Sequence, residues 1–443
     1  MKSIRLDRPI SQAAPTDPPH AADGTTLPPG SAGDRVGRPL SLVLALLTVF
    51  GPISMDLYLP VLPQLATDLG AATSTAQLTI TACLIGLALG QIVAGPLSDR
   101  FGRRWPLLIG VSIYVLASIA CAVSGSIEVL IAGRLLQGLA GATGVVIAQA
   151  AGRDLYRGTA LVRYYGRLTV LAGCAAIVGP LIGGQLAAVT DWRGTFVFLA
   201  AVGAAILLAA LLIFRETLPA GARSTGGFSH VRANMGVLLT DRLFLGAALT
   251  ISLLNGAVFA YLSGATFVLQ GIYQMTPQQY SYAFGLGSLA FVVAGFLSGR
   301  LSERWSSHAT LSIGVSLAVA GTAGIFAAAL AHLPLPVVLV SIVVMTSGVA
   351  ITTPPATALA LTDYPHMAGT AASLLGLGRY AFGAVTAPLV GLAGEDTAVP
   401  LGVVTLTCAV LAAATYLYTR RTVDSTHSPD EAPDDRVCPH WPR

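Results

Sequence analysis

The chain has 443 residues, of which 54% are hydrophobic and only 10% charged, with a mean hydropathy of +0.72. Soluble domains carry roughly 25% charge, so this composition excludes a soluble multidomain protein and puts most of the chain in lipid. The formal net charge is +4, but the 25 basic residues are nearly all arginine and are dispersed along alternate loops, which excludes a nucleic-acid patch.

Residues 1–37 are rich in Pro, Ala, Asp and Gly and lack the apolar core of a signal peptide, so a disordered cytoplasmic tail is expected there. A helix needs about 20 apolar residues to cross hydrocarbon. Twelve such runs follow, over 40–62, 77–97, 106–124, 129–150, 166–189, 194–214, 243–268, 280–300, 309–330, 334–358, 368–392 and 399–419. Each is expected to be helical, because lipid offers no partner to a bare backbone.

All but a few of the basic residues fall in the N-tail, the 98–105 turn, the 151–165, 215–242 and 300–308 loops and the C-tail. Arg193 stands on the opposite side, and Arg134 and Arg379 lie inside spans. The bias places both termini in the cytoplasm, which requires an even number of spans. The 359–367 loop departs from it, with Asp363 and His366 but no arginine. The longest internal linker, 215–242, contains a flexible Gly-Ala-Arg-Ser-Thr-Gly-Gly stretch. The expected organisation is therefore an all-α integral membrane protein. A six-helix bundle over 38–214, a cytoplasmic linker over 215–242 and a second bundle over 243–419 precede a cytoplasmic tail over 420–443. Two such bundles would rock against each other around a central cavity.

An internal repeat supports two halves. Gly95-Pro-Leu-Ser-Asp-Arg-Phe-Gly-Arg-Arg104 joins spans two and three, and a weaker copy, Gly299-Arg-Leu-Ser-Glu-Arg304, joins spans eight and nine. At the same offset, Ile109-Gly-Val-Ser112 matches Ile313-Gly-Val-Ser316.

A charge inside the membrane is costly and marks a functional candidate. Asp56 in span one and Arg134 in span four each lie about six residues from the outer end, about 9 Å deep at 1.5 Å per residue. Equal depth and opposite charge suggest a pair, serving either proton coupling or a static structural bond. Arg379, near the middle of span eleven, has no acid in the spans of its own half; Asp56 across the cavity, backbone carbonyls, water or an anionic substrate group could answer it. Tyr58, Gln137, Gln149, Asn255, Tyr261 and Gln270 are polar groups that either line the cavity or bond helix to helix. Pro354-Pro355 is expected to break span ten and free carbonyls near the cavity.

Cys83, Cys121, Cys174 and Cys408 fall in apolar spans and Cys438 in the tail, with no metal-site spacing and no disulfide framework. No Gly-x-x-x-x-Gly-Lys-Ser/Thr, His-Glu-x-x-His or Gly-x-Ser-x-Gly is present. An ATP-driven pump and a membrane-embedded enzyme are thereby disfavoured, and neither metal nor cofactor is expected.

The Gly-x-Leu-Ser-Asp-Arg-x-Gly-Arg-Arg turn, with spans on both sides, resembles the loop between helices two and three of the major facilitator superfamily. Met55-Asp-Leu-Tyr-Leu-Pro-Val-Leu-Pro63, Arg134-x-x-Gln-Gly138, Gly152-Arg-Asp-Leu-Tyr156 and Ser263-Gly-Ala-Thr-Phe-Val-Leu-Gln270 followed by Pro277-Gln-Gln-Tyr280 resemble its bicyclomycin-resistance (Bcr/CflA) drug exporters. The resemblance implies a monomeric, twelve-helix drug:proton antiporter of a bacterial cytoplasmic membrane, with small drug-like molecules and protons as its partners; a proton-coupled importer is the alternative. It implies proton-coupling roles for Asp56 and Arg134. Gly179, Pro180, Gly183 and Gly184 match the motif that marks antiporters in the superfamily. Gly95, Asp99, Arg100, Gly102, Arg103, Arg104, Arg153 and Asp154 resemble an inner gate whose paired charges would latch the two bundles on the cytoplasmic side when the cavity is open outward. Arg379 departs from the family, where a neutral polar residue is usual, and suggests a cavity suited to neutral or partly anionic compounds.

Overall fold

The computed structural model describes residues 38–156, 158–219, 221, 223, 235–362, 364, 368–392 and 397–426, and among these every regular element is helical. Residues 1–37 and 427–443, residues 220, 222 and 224–234 of the linker, and Asp363 and His366 lie outside the described residues. Twelve long helices occupy the twelve expected spans. Span one is Arg38–Asp56, continued beyond a 3-10 turn (Leu59–Val61) by the short helix Leu62–Asp68. Spans two to six are Thr73–Phe101, Arg104–Ala122, Ile127–Leu155, Gly158–Val189 and Trp192–Ile213. Spans seven to twelve are Arg242–Phe267, Pro277–Trp305, Ser307–Ala331, Leu335–Thr362, Ala368–Leu389 and Val399–Thr426.

Among the described residues ten helices are long and apolar enough to cross a membrane by themselves, and the bent pair in span one makes eleven. Span eleven is not among them, since Arg379 and the glycines at 369, 376, 378 and 383 dilute its apolar content. Several spans begin on a side-chain cap, which supplies an acceptor to amides that have no partner in the first turn. Asp191 accepts from the Gly194 amide at 3.2 Å. Asp241 accepts from Leu243 and Phe244 at 2.6 and 2.9 Å. Thr276 and Gln279 form a reciprocal capping box.

The repeat is visible in the backbone. Gly102, between spans two and three, has φ of 87°, and Ser306, at the same offset between spans eight and nine, has φ of 117°. Glycine takes that conformation freely, whereas serine does so under strain.

Pro354 and Pro355 do not break span ten, which runs on as one helix from Leu335 to Thr362. Pro355 cannot donate to the Ile351 carbonyl, but the Ser298 hydroxyl of span eight reaches across to it at 2.7 Å. A neighbouring helix therefore satisfies the acceptor that the proline frees.

At the arginine-rich end each half has its own core, one built around Val43, Leu47, Tyr114 and Phe214 and the other around Phe244, Leu254, Leu311 and Tyr416. At the far end a single core crosses between the halves, joining Leu57, Tyr58 and Leu62 to Phe259, Tyr261, Val268 and Tyr280. Three hydrogen bonds cross there too. Gln77 donates to the Ser263 carbonyl at 3.4 Å, Gln270 to the Pro60 carbonyl at 3.0 Å and Gln185 to the Tyr282 hydroxyl at 3.3 Å. The halves are thus closed on each other at the far end and have separate cores at the basic end.

Candidate functional site

Pro60 shapes the first half of the site. It has no amide hydrogen, and its ring opposes a helix continuing through the residue four positions earlier. The regular helix of span one accordingly stops at Asp56. Separately, its axis bends by 41° at residue 52, between 39–51 and 53–68. The last carbonyls of a helix have no partner within it. Arg134 provides one: its guanidinium donates to the Ser54 carbonyl at 3.1 Å and to Gln137 Oε1 at 2.6 Å, and lies 3.5 Å from Met55 Sδ. It also lies over the Tyr58 ring, 4.2 Å from its centroid, and 5.7 Å from that of Phe196. A desolvated cation over an aromatic face gains roughly 2 kcal/mol.

Arg134 therefore does not pair with Asp56. Among the described residues neither makes an ion pair, and Arg134 Nε is buried without a partner. The expectation of a carboxylate–guanidinium bond rested on equal depth, but the break in span one turns the Ser54 carbonyl, rather than the Asp56 side chain, toward span four. Tyr58 and Gln137 are likewise fully buried in the first half rather than lining a cavity. Tyr58 shares a 2.8 Å hydrogen bond with Thr79, and Gln137 donates to Ser118 at 2.7 Å. Ser54 also bonds the Tyr114 hydroxyl.

Asp56 is 8% exposed and sits where the halves meet. Its neighbours Met55, Leu57 and Tyr58 pack in one core with Tyr261 of span seven and Tyr280 of span eight. Tyr261 stacks on Phe284 with ring centroids 6.0 Å apart, and the Tyr280 hydroxyl is 2.9 Å from Thr266 Oγ1. Gln270 lies in a π-turn, Val268–Ile272, and belongs to the far-end closure. Asn255 is buried and donates to its own helix at Ile251. Gln149 and Arg379 are exposed.

The glycine motif of span five explains how Asp56 comes to the seam. A Cβ at Gly179 would lie 3.3 Å from Asp56 Cβ, one at Gly183 would collide with the Leu57 backbone, and one at Gly184 with Ser281 of the other half. Only hydrogen at these positions lets span five approach span one on one side and span eight on the other.

The gate cluster assembles, but within one half. Arg103 donates to Asp99 at 2.5 Å, to Asp154 at 3.0 Å and to Ser98 at 2.7 Å. Asp99, Arg103 and Asp154 all belong to the first half, so in this conformation the bonds of the cluster stay within one half. Gly95 accepts from the Ser98 hydroxyl, Arg100 lies 5.3 Å from the Phe101 ring, and Arg104 donates to the Leu211 carbonyl at 3.2 Å. Arg153 is exposed. Sequence reasoning missed two members. Glu216 accepts from the amides of Arg103 and Arg104 at 2.7 and 3.3 Å, and Thr217 donates to Asp154 at 3.0 Å. Burial pushes the Glu216 carboxyl up, yet these amides and Arg223 hold it below its usual range. The available signal was an acid beside Arg215 at the start of the linker.

Comparison with known proteins agrees with this architecture. Residues 44–388 match the profile of the Major Facilitator Superfamily. The chain is 37% identical to an uncharacterised MFS-type transporter, YdgK, of Bacillus subtilis (strain 168), over 84% of this chain and 93% of that protein. It is 30% identical to a bicyclomycin resistance protein homologue of Haemophilus influenzae, over 85% and 95% of the two chains. A bacterial homologue of the human lysosomal transporter Spinster, solved in an inward-facing and unoccupied conformation, superposes with a TM-score of 0.70 at 16% identity, covering 88% of this chain and 98% of the other.

Proposed function

The chain belongs to the major facilitator superfamily, a family of multi-pass membrane transporters, and from that premise we propose that it exports small drug-like molecules across a bacterial cytoplasmic membrane in exchange for protons. One observation carries the reading: Asp56 is a buried carboxyl on the part of span one whose neighbours pack in the core shared by the two halves. A carboxyl there can hold its proton in an apolar setting and release it when water or a cation reaches it. The named relative with bicyclomycin resistance supports a drug-like substrate.

The arginine bias supports cytoplasmic termini and a cytoplasmic 215–242 linker. On that topology the crossed hydrogen bonds close the outer side, and the halves, whose cores are separate at the basic end, would part toward the cytoplasm. Gln149 and Arg379, which are exposed, are the polar groups of that path. The chain would act as a monomer, with the membrane proton gradient supplying the energy; one charge crossing 100 mV yields about 2.3 kcal/mol.

The test is a drug-sensitivity and efflux panel in a host lacking its own pumps. Intact protein should lower intracellular drug, an uncoupler should abolish the effect, and Asp56→Asn should do the same without lowering the amount of protein in the membrane. Uphill efflux surviving in Asp56→Asn would defeat the reading.

A further inference from the structure

The first half contains a cation, Arg134, that cannot serve as a switch for Asp56. It is bound to Ser54 and Met55 of the span that carries the acid, so the two move together when the halves rock. Whatever field it exerts at Asp56 is nearly constant through the cycle. A proton site that must load on one side and empty on the other needs a counter-charge whose distance changes.

Span eleven supplies one. A side chain at Gly376 would meet Gln91 of span two, and one at Gly383 would meet Phe259 of span seven. On the helical wheel Gly376 and Gly383 lie about 20° apart, Arg379 lies within about 60° of both, and exposed Ala381 and Val385 lie on roughly the opposite side. Arg379 therefore points toward the seam between the halves, yet it is exposed and forms no ion pair among the described residues. Its nearest ring, that of Tyr380, is 5.8 Å away. The titratable and charged groups around the end of span one are Cys83, Tyr114, Arg134, Tyr261, Tyr280 and Arg379. Of the two cations, only Arg379 belongs to the other half.

We infer that Arg379 is the counter-cation that lets Asp56 give up its proton, and that its place on the opposite half is what ties proton release to the movement of the halves. This rests on the proton-exchange reading above. When the halves bring Arg379 toward Asp56, the carboxyl O–H breaks, the proton passes to water in the open gap and the carboxylate remains beside the guanidinium. When they separate, the carboxylate loses that partner and takes a proton from water on the other side. Coulomb energy falls as the inverse of distance. Arg379 is thus a positioning residue for the proton, not a group that receives it.

The test uses the full-length protein in proteoliposomes and reads Asp56 itself. A hydrophobic carbodiimide modifies protonated carboxyls in apolar surroundings, and mass spectrometry of the Asp56 peptide gives the labelled fraction against pH. Asp56→Asn supplies the blank. Arg379→Gln and Arg379→Met should each move the labelling midpoint up by about one pH unit, and Arg379→Lys should return it most of the way. Because Arg379 is exposed and unpaired, these variants should keep the wild-type melting temperature, and the two neutral replacements guard against one failing to fold. A midpoint unmoved in both neutral variants overturns the inference, as does a change confined to which anionic drugs are exported, which would make Arg379 a substrate contact. The readout needs no substrate. If the wild type exports no bicyclomycin under a proton gradient but the midpoint still shifts, the drug assignment fails and the inference stands.

Discussion

At the scale of single residues, Arg134 and Asp56 have different roles. The guanidinium completes the broken end of span one, so its value is largely mechanical. Arg134→Lys removes the forked donation to Ser54 and Gln137, and hydrogen bonds from a charged donor are worth roughly 1.5–3 kcal/mol. A melting temperature lowered by several degrees in detergent is expected, with the pH midpoint of Asp56 labelling almost unchanged. Two acids outside the spans make a prediction about pH. Burial pushes the Asp241 carboxyl up, but the Tyr364 hydroxyl and the Phe244 and Leu243 amides outweigh it and hold it below its model-peptide value of 3.8. Glu216 is held below 4.5 in the same way. Both folded values lie below the unfolded ones, so their stabilisation is present at neutral pH and is lost as pH falls through the folded values. Melting temperatures measured between about pH 7 and 3 should therefore fall less steeply in Asp241→Asn and Glu216→Gln than in the wild type. Asp56 was legible as a candidate because a lone acid in an apolar run is conspicuous. That Arg134 turns to the Ser54 carbonyl instead was not, because depth along a helix does not fix which way a side chain points.

At the scale of elements, the spans themselves were the most legible feature, since lipid leaves the backbone only one way to satisfy its amides. The repeat was legible too, and the structure extends it to Gly102 and Ser306, which share a backbone conformation without sharing a residue type. That difference can be measured. A non-glycine residue at positive φ costs about 1 kcal/mol or more, whereas exchanging a serine cap for glycine costs only a few tenths. The Ser306 hydroxyl accepts from the Ala309 amide at 3.2 Å, so it does cap span nine. Ser306→Gly should still raise the melting temperature, and Gly102→Ser should lower it further than that gain, because a Cβ there also meets Glu216. The prolines of span ten were misread as a break because the sequence does not show that Ser298 of another helix supplies the missing donor. The glycine motif of span five was visible in the sequence, but the residues it packs against needed coordinates. Gly183→Ala should cost roughly 1–3 kcal/mol and abolish transport, whereas Ala at Gly287, which has nothing within 4 Å, should be silent.

At the scale of the whole molecule, the two halves share one core at the far end and keep separate cores at the basic end. That asymmetry is what alternating access requires, because a seam closed at both ends would admit nothing and one open at both would leak protons. The far-end seam is apolar with three hydrogen bonds across it, and the bond from Gln270 to the Pro60 carbonyl joins the π-turn of span seven to the broken end of span one. Irregular backbone is thus concentrated on both sides of the contact that has to open. An element that already departs from regular helix can shift without losing a full ladder of bonds. Weakening this contact should tip the population toward the state open at the far end. A single cysteine placed at Arg379, with the native cysteines replaced because Cys174 is exposed, provides the probe. In oriented vesicles a membrane-impermeant maleimide should label it quickly from the arginine-rich side and slowly from the other. Adding Gln270→Ala should raise the far-side rate by roughly the tenfold that 1.4 kcal/mol represents and lower the near-side rate. If both rates rise together, the substitution has loosened the fold rather than shifted a two-state balance, and the seam at Gln270 is not the outer closure.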